Sequence, residues 1–165
     1  MTLAIVPLTP LERGQLHVIR LRALRSAVIL LVIAGAAEWF APELAEKGLP
    51  LIPGMFLVPV LLLALWMVVI APPRRWRRWG YAFTGTELHV EHGLFTRVHT
   101  IVPVLRVQHI DVQQDVLERL FRVATLVLHT AGTDANVVVL PGIARATAEE
   151  IRDTIRERIG SAAHD

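Results

Sequence analysis

Hydrophobic and polar positions fall into two textures along the chain, an apolar first half and an alternating second half. From Leu49 to Pro73 no residue carries a charge, and Met55–Ile70 is almost wholly apolar. As a helix, Leu51–Ala71 would be about 31 Å long, which matches a hydrocarbon core of roughly 30 Å. Its length, its lack of charge and the arginines after it favour a membrane span over a buried core helix. Pro53 fits the first turn of such a helix, where a missing N–H does no harm. Pro59 is expected to kink the interior, which membrane helices tolerate. An earlier run, Ser26–Ala37, reaches only about 18 Å and spans only when extended through Trp39 and Phe40. Two spans are therefore expected, at about residues 22–41 and 51–71.

The flanks orient these spans. Arg13, Arg20, Arg22 and Arg25 precede or open the first span; Arg74, Arg75, Arg77 and Arg78 follow the second. The connecting loop, with Glu43 and Glu46, has Lys47 as its one basic residue. Positive residues mark the cytoplasmic side, so both termini are expected in the cytoplasm and the loop outside, as in a multi-pass protein of the inner cell membrane. Arg22, Arg25, Arg74, Arg75, Trp76, Arg77, Arg78 and Trp79 are read as anchors at the membrane surface, the tryptophans as an aromatic belt. Ala34-Gly35-Ala36 offers small residues for close helix packing. It also has the form of a signal-peptidase site, but the basic region before it is too long and a second apolar run follows, so a retained span is expected.

After Gly80 the period changes from helical to alternating. Thr84-Gly85-Thr86 signals a turn, and Leu88-His89-Val90-Glu91 alternates as a half-buried strand does. Val98–Val104 is rich in β-branched residues, with Pro103 marking an edge or a bulge. In Gln108–Gln114, Ile110 and Val112 fall on one face and His109, Asp111 and Gln113 on the other. Val116–Phe121 reads as a short helical turn. Ala124–His129 and Val137–Leu140 are two more strands, with a turn at Gly132-Thr133-Asp134 between them. Thr147 and Glu150 form a capping-box pattern, and Ile151, Ile155 and Ile159 then make the apolar stripe of a final helix. The segment from about Gly80 is expected to fold without the spans: residues 1–79 form the N-terminal membrane hairpin, 80–160 a domain and 161–165 a tail.

Charge and composition narrow the function. Residues 1–80 carry 9 Lys/Arg against 4 Asp/Glu, and residues 81–165 carry 8 against 11. The basic residues thus sit beside the apolar runs, and the polar half is acidic. That is the wrong sign for holding nucleic-acid phosphates. The chain has no Cys, which removes disulfides, thiolate zinc sites and Cys nucleophiles.

The runs Arg106-Val107-Gln108-His109-Ile110-Asp111-Val112-Gln113-Gln114, Leu117-Glu118-Arg119-Leu120-Phe121, Ala124-Thr125-Leu126 and His129-Thr130-Ala131-Gly132 resemble the bacterial pleckstrin-homology domain family. Within it, the chain is similar to the small YdbS-like membrane proteins, which also carry a two-span hairpin. Asp115-Val116 departs from the family's usual Gly-Pro, and Arg122 from its usual Gly. The resemblance implies two transmembrane helices followed by an α+β, mainly β pleckstrin-homology-like domain. Two antiparallel sheets would form a partial barrel capped by the C-terminal helix. Seven strands are implied, against five or six read from the periodicity. The resemblance implies no reaction and no cofactor. It implies an interaction or assembly module working beside a larger membrane protein with related domains.

The residues agree with a chain that is not an enzyme. Its serines are Ser26 and Ser161, no Gly-x-Ser-x-Gly elbow or phosphate-cradling loop occurs, and nothing positions a pair of carboxylates. Of the histidines, His89 and His92 fall on opposite faces of a strand. His109 and Asp111 share a face, but two ligands do not make a metal site. The expected partners are the bilayer and a membrane protein with related domains, or a second copy of the chain. The expected contact face is Arg106, Gln108, His109, Asp111 and Gln113. The alternative is a sensor of lipid headgroups. It wants a concentrated basic pocket, whereas Arg97, Arg106, Arg119 and Arg122 are scattered, and two membrane helices make recruitment by lipid redundant.

Overall fold

The computed structural model describes residues 7–46, 52–93, 96–131 and 137–162. The expected turn at Gly132-Thr133-Asp134, the start of the second span at Leu51, Lys47 in the connecting loop and the tail beyond Ala162 lie outside them. The chain divides into two units. One joins the residues up to Val18 to those from Arg75 onward, and the other is Ile19–Arg74.

The first unit contains two antiparallel sheets. β1 (Thr9–Pro10), β2 (Gly80–Phe83), β3 (Glu87–His92) and β4 (Val98–Pro103) follow one another across the first. β5 (Val107–Gln113), β6 (Val123–Thr130) and β7 (Val137–Ala144) make the second. With the final helix α5 (Arg145–Ala162) this is the pleckstrin-homology-like arrangement. Leu88, Val90 and Val102 from the first sheet meet Leu126, Leu128 and Leu140 from the second in one buried core. Ile151 and Ile155 of α5 close it, with Ile159 half-buried beside them. Each such side chain contributes roughly 1.5–3 kcal/mol on leaving water.

β1 and β2 have no periodicity to give them away. Thr9 pairs with Tyr81 and Pro10 with Gly80, and Pro is tolerated on this edge strand because its missing N–H interrupts no ladder. Leu11, 2% exposed, then enters the core. Glu12 N–H donates to the Gly142 carbonyl at 2.9 Å, and the Trp76 indole N–H donates to the Glu12 carbonyl at 3.0 Å. Burial, reinforced by the nearby Glu12 carboxylate, pushes the Tyr81 hydroxyl above its ordinary pKa. Residues before the hairpin therefore complete the sheet that the residues after it begin. The segment from Gly80 alone lacks that strand and the Leu11 side chain.

Other boundaries differ from the periodicity as well. α5 begins at Arg145, so Thr147 lies inside its first turn instead of capping it, and Arg145 Nε reaches Glu149 at 2.9 Å. The capping box of this domain is at α4 (Val116–Leu120). The Asp115 carboxylate accepts from Glu118 N–H at 2.7 Å, and Glu118 accepts from Asp115 N–H at 3.1 Å. Just beyond it, Arg122 adopts a left-handed conformation with φ 57°. That costs a non-glycine residue about 1–2 kcal/mol and accounts for the glycine common in the family.

The second unit is helical. α1 (Arg13–Glu46) starts in the first unit and is 34 residues long, so the expected first span lies wholly inside it. Its buried alanines, Ala27, Ala34 and Ala41, are seven residues apart and form one stripe, while Leu24, Val28, Ile29, Val32 and Ile33 are exposed. Gly35, read as a packing residue, faces open space instead. Among the described residues one helix, Leu57–Trp76, is long and apolar enough to cross a membrane. It comprises α2 (Leu57–Leu65), a wide π turn at Trp66–Ile70 and α3 (Ala71–Trp76).

Pro53 precedes this helix, and Pro59 takes the first-turn place where no N–H is needed. The irregularity comes later, in the π turn before Pro72 and Pro73. There Ala71 N–H bonds back to the Trp66 carbonyl, and the wider turn accommodates rings that would crowd a regular helix. Glu38, the acidic residue in the first apolar run, also has a defined task. Its carboxylate accepts from Gly54 N–H and, at 3.3 Å, from Phe56 N–H, donors leading into α2 that would otherwise lack a partner.

Gly142 gives the most direct check on the docking of the N-terminal residues. Its φ is +72°, and an added Cβ would overlap the Gln15 side chain. Gly142→Ala should therefore cost about 1–3 kcal/mol in thermal or urea unfolding of the whole chain. Gly35→Ala, a substitution into open space on a helix, should be neutral or stabilise by up to about 1 kcal/mol.

Candidate functional site

The expected contact face is built on β5, where one extra residue decides what points where. Val107 pairs with Thr130 and His109 with His129, leaving Gln108 as a bulge. A bulge reverses the alternation. Val107 is consequently buried in the core, whereas His109, two residues on, lies on the outer face. Ile110 and Val112 pack against the core, half-buried, as the alternation required.

On the outer face His109, Asp111 and Gln113 alternate along β5, and His129 stands opposite His109 on β6. His109 Nε2 lies 2.9 Å from Asp111 Oδ1, and His129 Nε2 lies 3.7 Å from Asp111 Oδ2. The two imidazoles are 5.7 Å apart between centroids. One carboxylate thus collects two rings from neighbouring strands. Val137 and Val139 of β7 are exposed at the other side of this sheet. The surface offers ring N–H donors, a carboxylate, an amide and a margin of apolar contact.

Gln108 and Arg106 do not join that cluster. Gln108 lines a cavity of about 390 Å³ toward α5, with Ile110, Arg156, Ile159 and Gly160, and of that cluster His109 alone borders the same space. Arg106 ends the 3-10 turn Val104–Arg106, and its carbonyl accepts from Ala131 N–H at 3.0 Å. Sequence reasoning missed His129, because cross-strand register is invisible in a single sequence. It also missed the buried Glu118, which receives the Thr125 hydroxyl at 2.9 Å as well as closing its capping box. The Asp115-x-x-Glu118 pattern could have found it.

A second histidine pair lies on the first sheet. His89, almost buried, places Nδ1 3.4 Å from His99 Nε2 and Nε2 3.3 Å from Glu87. Among the described residues no group of three or more His, Asp or Glu is arranged to hold a metal ion.

The basic residues fall in separate places. Arg97 is paired with Glu91 at 2.6 Å, and Arg119 and Arg122 are exposed around α4. Arg22 and Arg25 are exposed on α1. Arg74, Arg75, Arg77 and Arg78 are exposed at and just after the end of α3. Trp76 and Trp79, read as a belt at the bilayer surface, make their contacts with the domain. Both pack against its core, and Trp79 stacks on His92 at 4.7 Å.

Two sheets and a closing helix, in a chain that also carries one long apolar helix, define a pleckstrin-homology-like module associated with a membrane. The bacterial PH domain family model matches residues 18–159, and the chain belongs to that family. It is similar to two proteins of Bacillus subtilis (strain 168), each named as a UPF0699 transmembrane protein. Identity to YdbS is 34% over 88 residues, covering 53% of this chain and 54% of that protein. Identity to YdbT is 28% over 94 residues, covering 56% of this chain and 19% of that protein. The match thus spans about half of one relative and a fifth of the other. No solved structure matches the chain significantly.

Proposed function

We propose that this protein is a non-catalytic assembly module, anchored by a two-span hairpin with both ends on the cytoplasmic side. The domain offers the His109–Asp111–Gln113 face, with His129, to a membrane protein carrying a related domain or to a second copy of the chain. The observation that carries the anchoring is the pairing of β1 with β2. The chain leaves this sheet at Pro10 and rejoins it at Gly80, so it crosses any bilayer an even number of times between them. If the apolar helix Leu57–Trp76 crosses once, α1 supplies the return. The exposed Val28, Ile29, Val32 and Ile33 of α1 give it a surface suited to lipid. The excess of arginine at the ends of the hairpin supports the cytoplasmic assignment.

Two proteins of one bacterium each match about half of this chain, and one is a much longer chain. That supports a partner built partly from the same domain. The cluster on β5 and β6 supports the choice of face, since its polar groups are displayed instead of being consumed by the core.

Topology and face are tested in the same cells. A cysteine placed at Glu43 should react with an impermeant thiol reagent outside, and one placed at Leu105 only after lysis; the reverse pattern contradicts the topology. Changing His109, Asp111 and Gln113 together to Ala should leave unfolding within about 0.5–1 kcal/mol. The same change should reduce the crosslinked yield of a second copy, or of a co-expressed membrane protein with a related domain, at least tenfold. An unchanged yield would place the contact elsewhere.

A further inference from the structure

At the junction of α3 and β2 a cavity of about 190 Å³ is lined by Arg75, Arg78, Trp79 and Gly93. We propose that it holds one phosphate group, and that the phosphate is the headgroup diester of an anionic phospholipid. The space is open to solvent on one side and large enough for a tetrahedral phosphate with water around it. Arg75 and Arg78 come from consecutive turns, so two guanidinium groups border one space, a geometry suited to bidentate grip on phosphate oxygens.

Among the described residues Arg75 makes no ion pair. The nearby Glu91 is already engaged by Arg97 at 2.6 Å. The helix-end carbonyls of Arg75 and Trp76 are covered by Arg78 N–H at 3.2 Å and Trp79 N–H at 3.3 Å, so bare acceptors do not oppose an anion here. Trp79 is fixed by its stack on His92. Gly93, with φ +130°, stands where any Cβ would overlap the Thr96 carbonyl, and it leaves that wall of the cavity as bare backbone.

Depth selects the lipid as the source. Arg75 follows Ala71 by four residues, about 6 Å of helix. The headgroup layer on each side of a roughly 30 Å core is about 5–7 Å thick. A phosphate at that level is supplied by the bilayer itself. This makes the bound lipid a fixed component held by residues of the domain and not a recruitment signal. Arg74 and Arg77 serve as the internal contrast. They carry the same charge on the same segment but line none of this cavity, and Arg74 Nη1 turns back to the Ile70 carbonyl at 3.4 Å.

The inference rests on the apolar stretch of the Leu57–Trp76 helix lying in the hydrocarbon core, with Ala71 at its edge. The test uses the full chain extracted in neutral detergent, with bound lipid counted by native mass spectrometry. Phosphatidylglycerol and phosphatidylcholine are added separately, and inorganic phosphate is titrated in a third arm. The expected result is one retained phosphatidylglycerol, at least tenfold preferred over phosphatidylcholine. Retention should fall at least tenfold in Arg75→Gln/Arg78→Gln and stay within twofold in Arg74→Gln/Arg77→Gln. Both pairs are exposed, and matching melting curves would show both variants folded. Inorganic phosphate binding that is lost in the first variant, without lipid retention, would keep the phosphate site and overturn its lipid source. Equal losses in both variants, or no retention of either ligand, would overturn the site. A chain recovered in the soluble fraction would overturn the membrane reading itself.

Discussion

Two residue pairs, Thr9 with Tyr81 and Pro10 with Gly80, constrain the rest of this protein. The hairpin is an insertion between the first two strands of a sheet, so its ends must return to one place. In an isolated peptide, backbone pairing this short would not persist. Here it is held by Leu11 in the core, by the Glu12 backbone bonded to Gly142 and Trp76, and by Gln15 against Gly142. The domain thus depends on residues from both sides of the hairpin.

The hairpin follows the same economy of polar groups. Glu38 would be costly among apolar residues, yet its carboxylate takes the backbone donors of Gly54 and Phe56. The paired prolines near the end of the second helix are preceded by a wide turn that receives them. In each case a residue that looks misplaced by hydropathy satisfies a backbone requirement nearby.

Elements with strong local period were legible in the sequence. β3, the half of β5 from His109 and the Ile151–Ile155–Ile159 stripe all follow from alternation or helical spacing. What stayed hidden depends on distant partners or on a single inserted residue. β1 is two residues long and finds its partner some seventy residues on, so no window of the sequence contains it. The Gln108 bulge changes no composition, yet it sends Val107 inward and His109 outward. His129 enters the cluster only through register. Trp76 and Trp79 stood out by the arginines around them, and their packing against the domain core could not be read from sequence.

The strand pairing itself can be measured, because the natural chain has no cysteine to interfere. Thr9→Cys/Tyr81→Cys, oxidised in native membranes, should form an intramolecular disulfide that shifts gel mobility and reverts on reduction. His92→Cys/Val98→Cys, directly opposed across β3 and β4, is the positive control. Efficient crosslinking at both pairs is the result the account predicts. Crosslinking of the control pair alone, in folded protein, would show that the hairpin does not return to the strand it left.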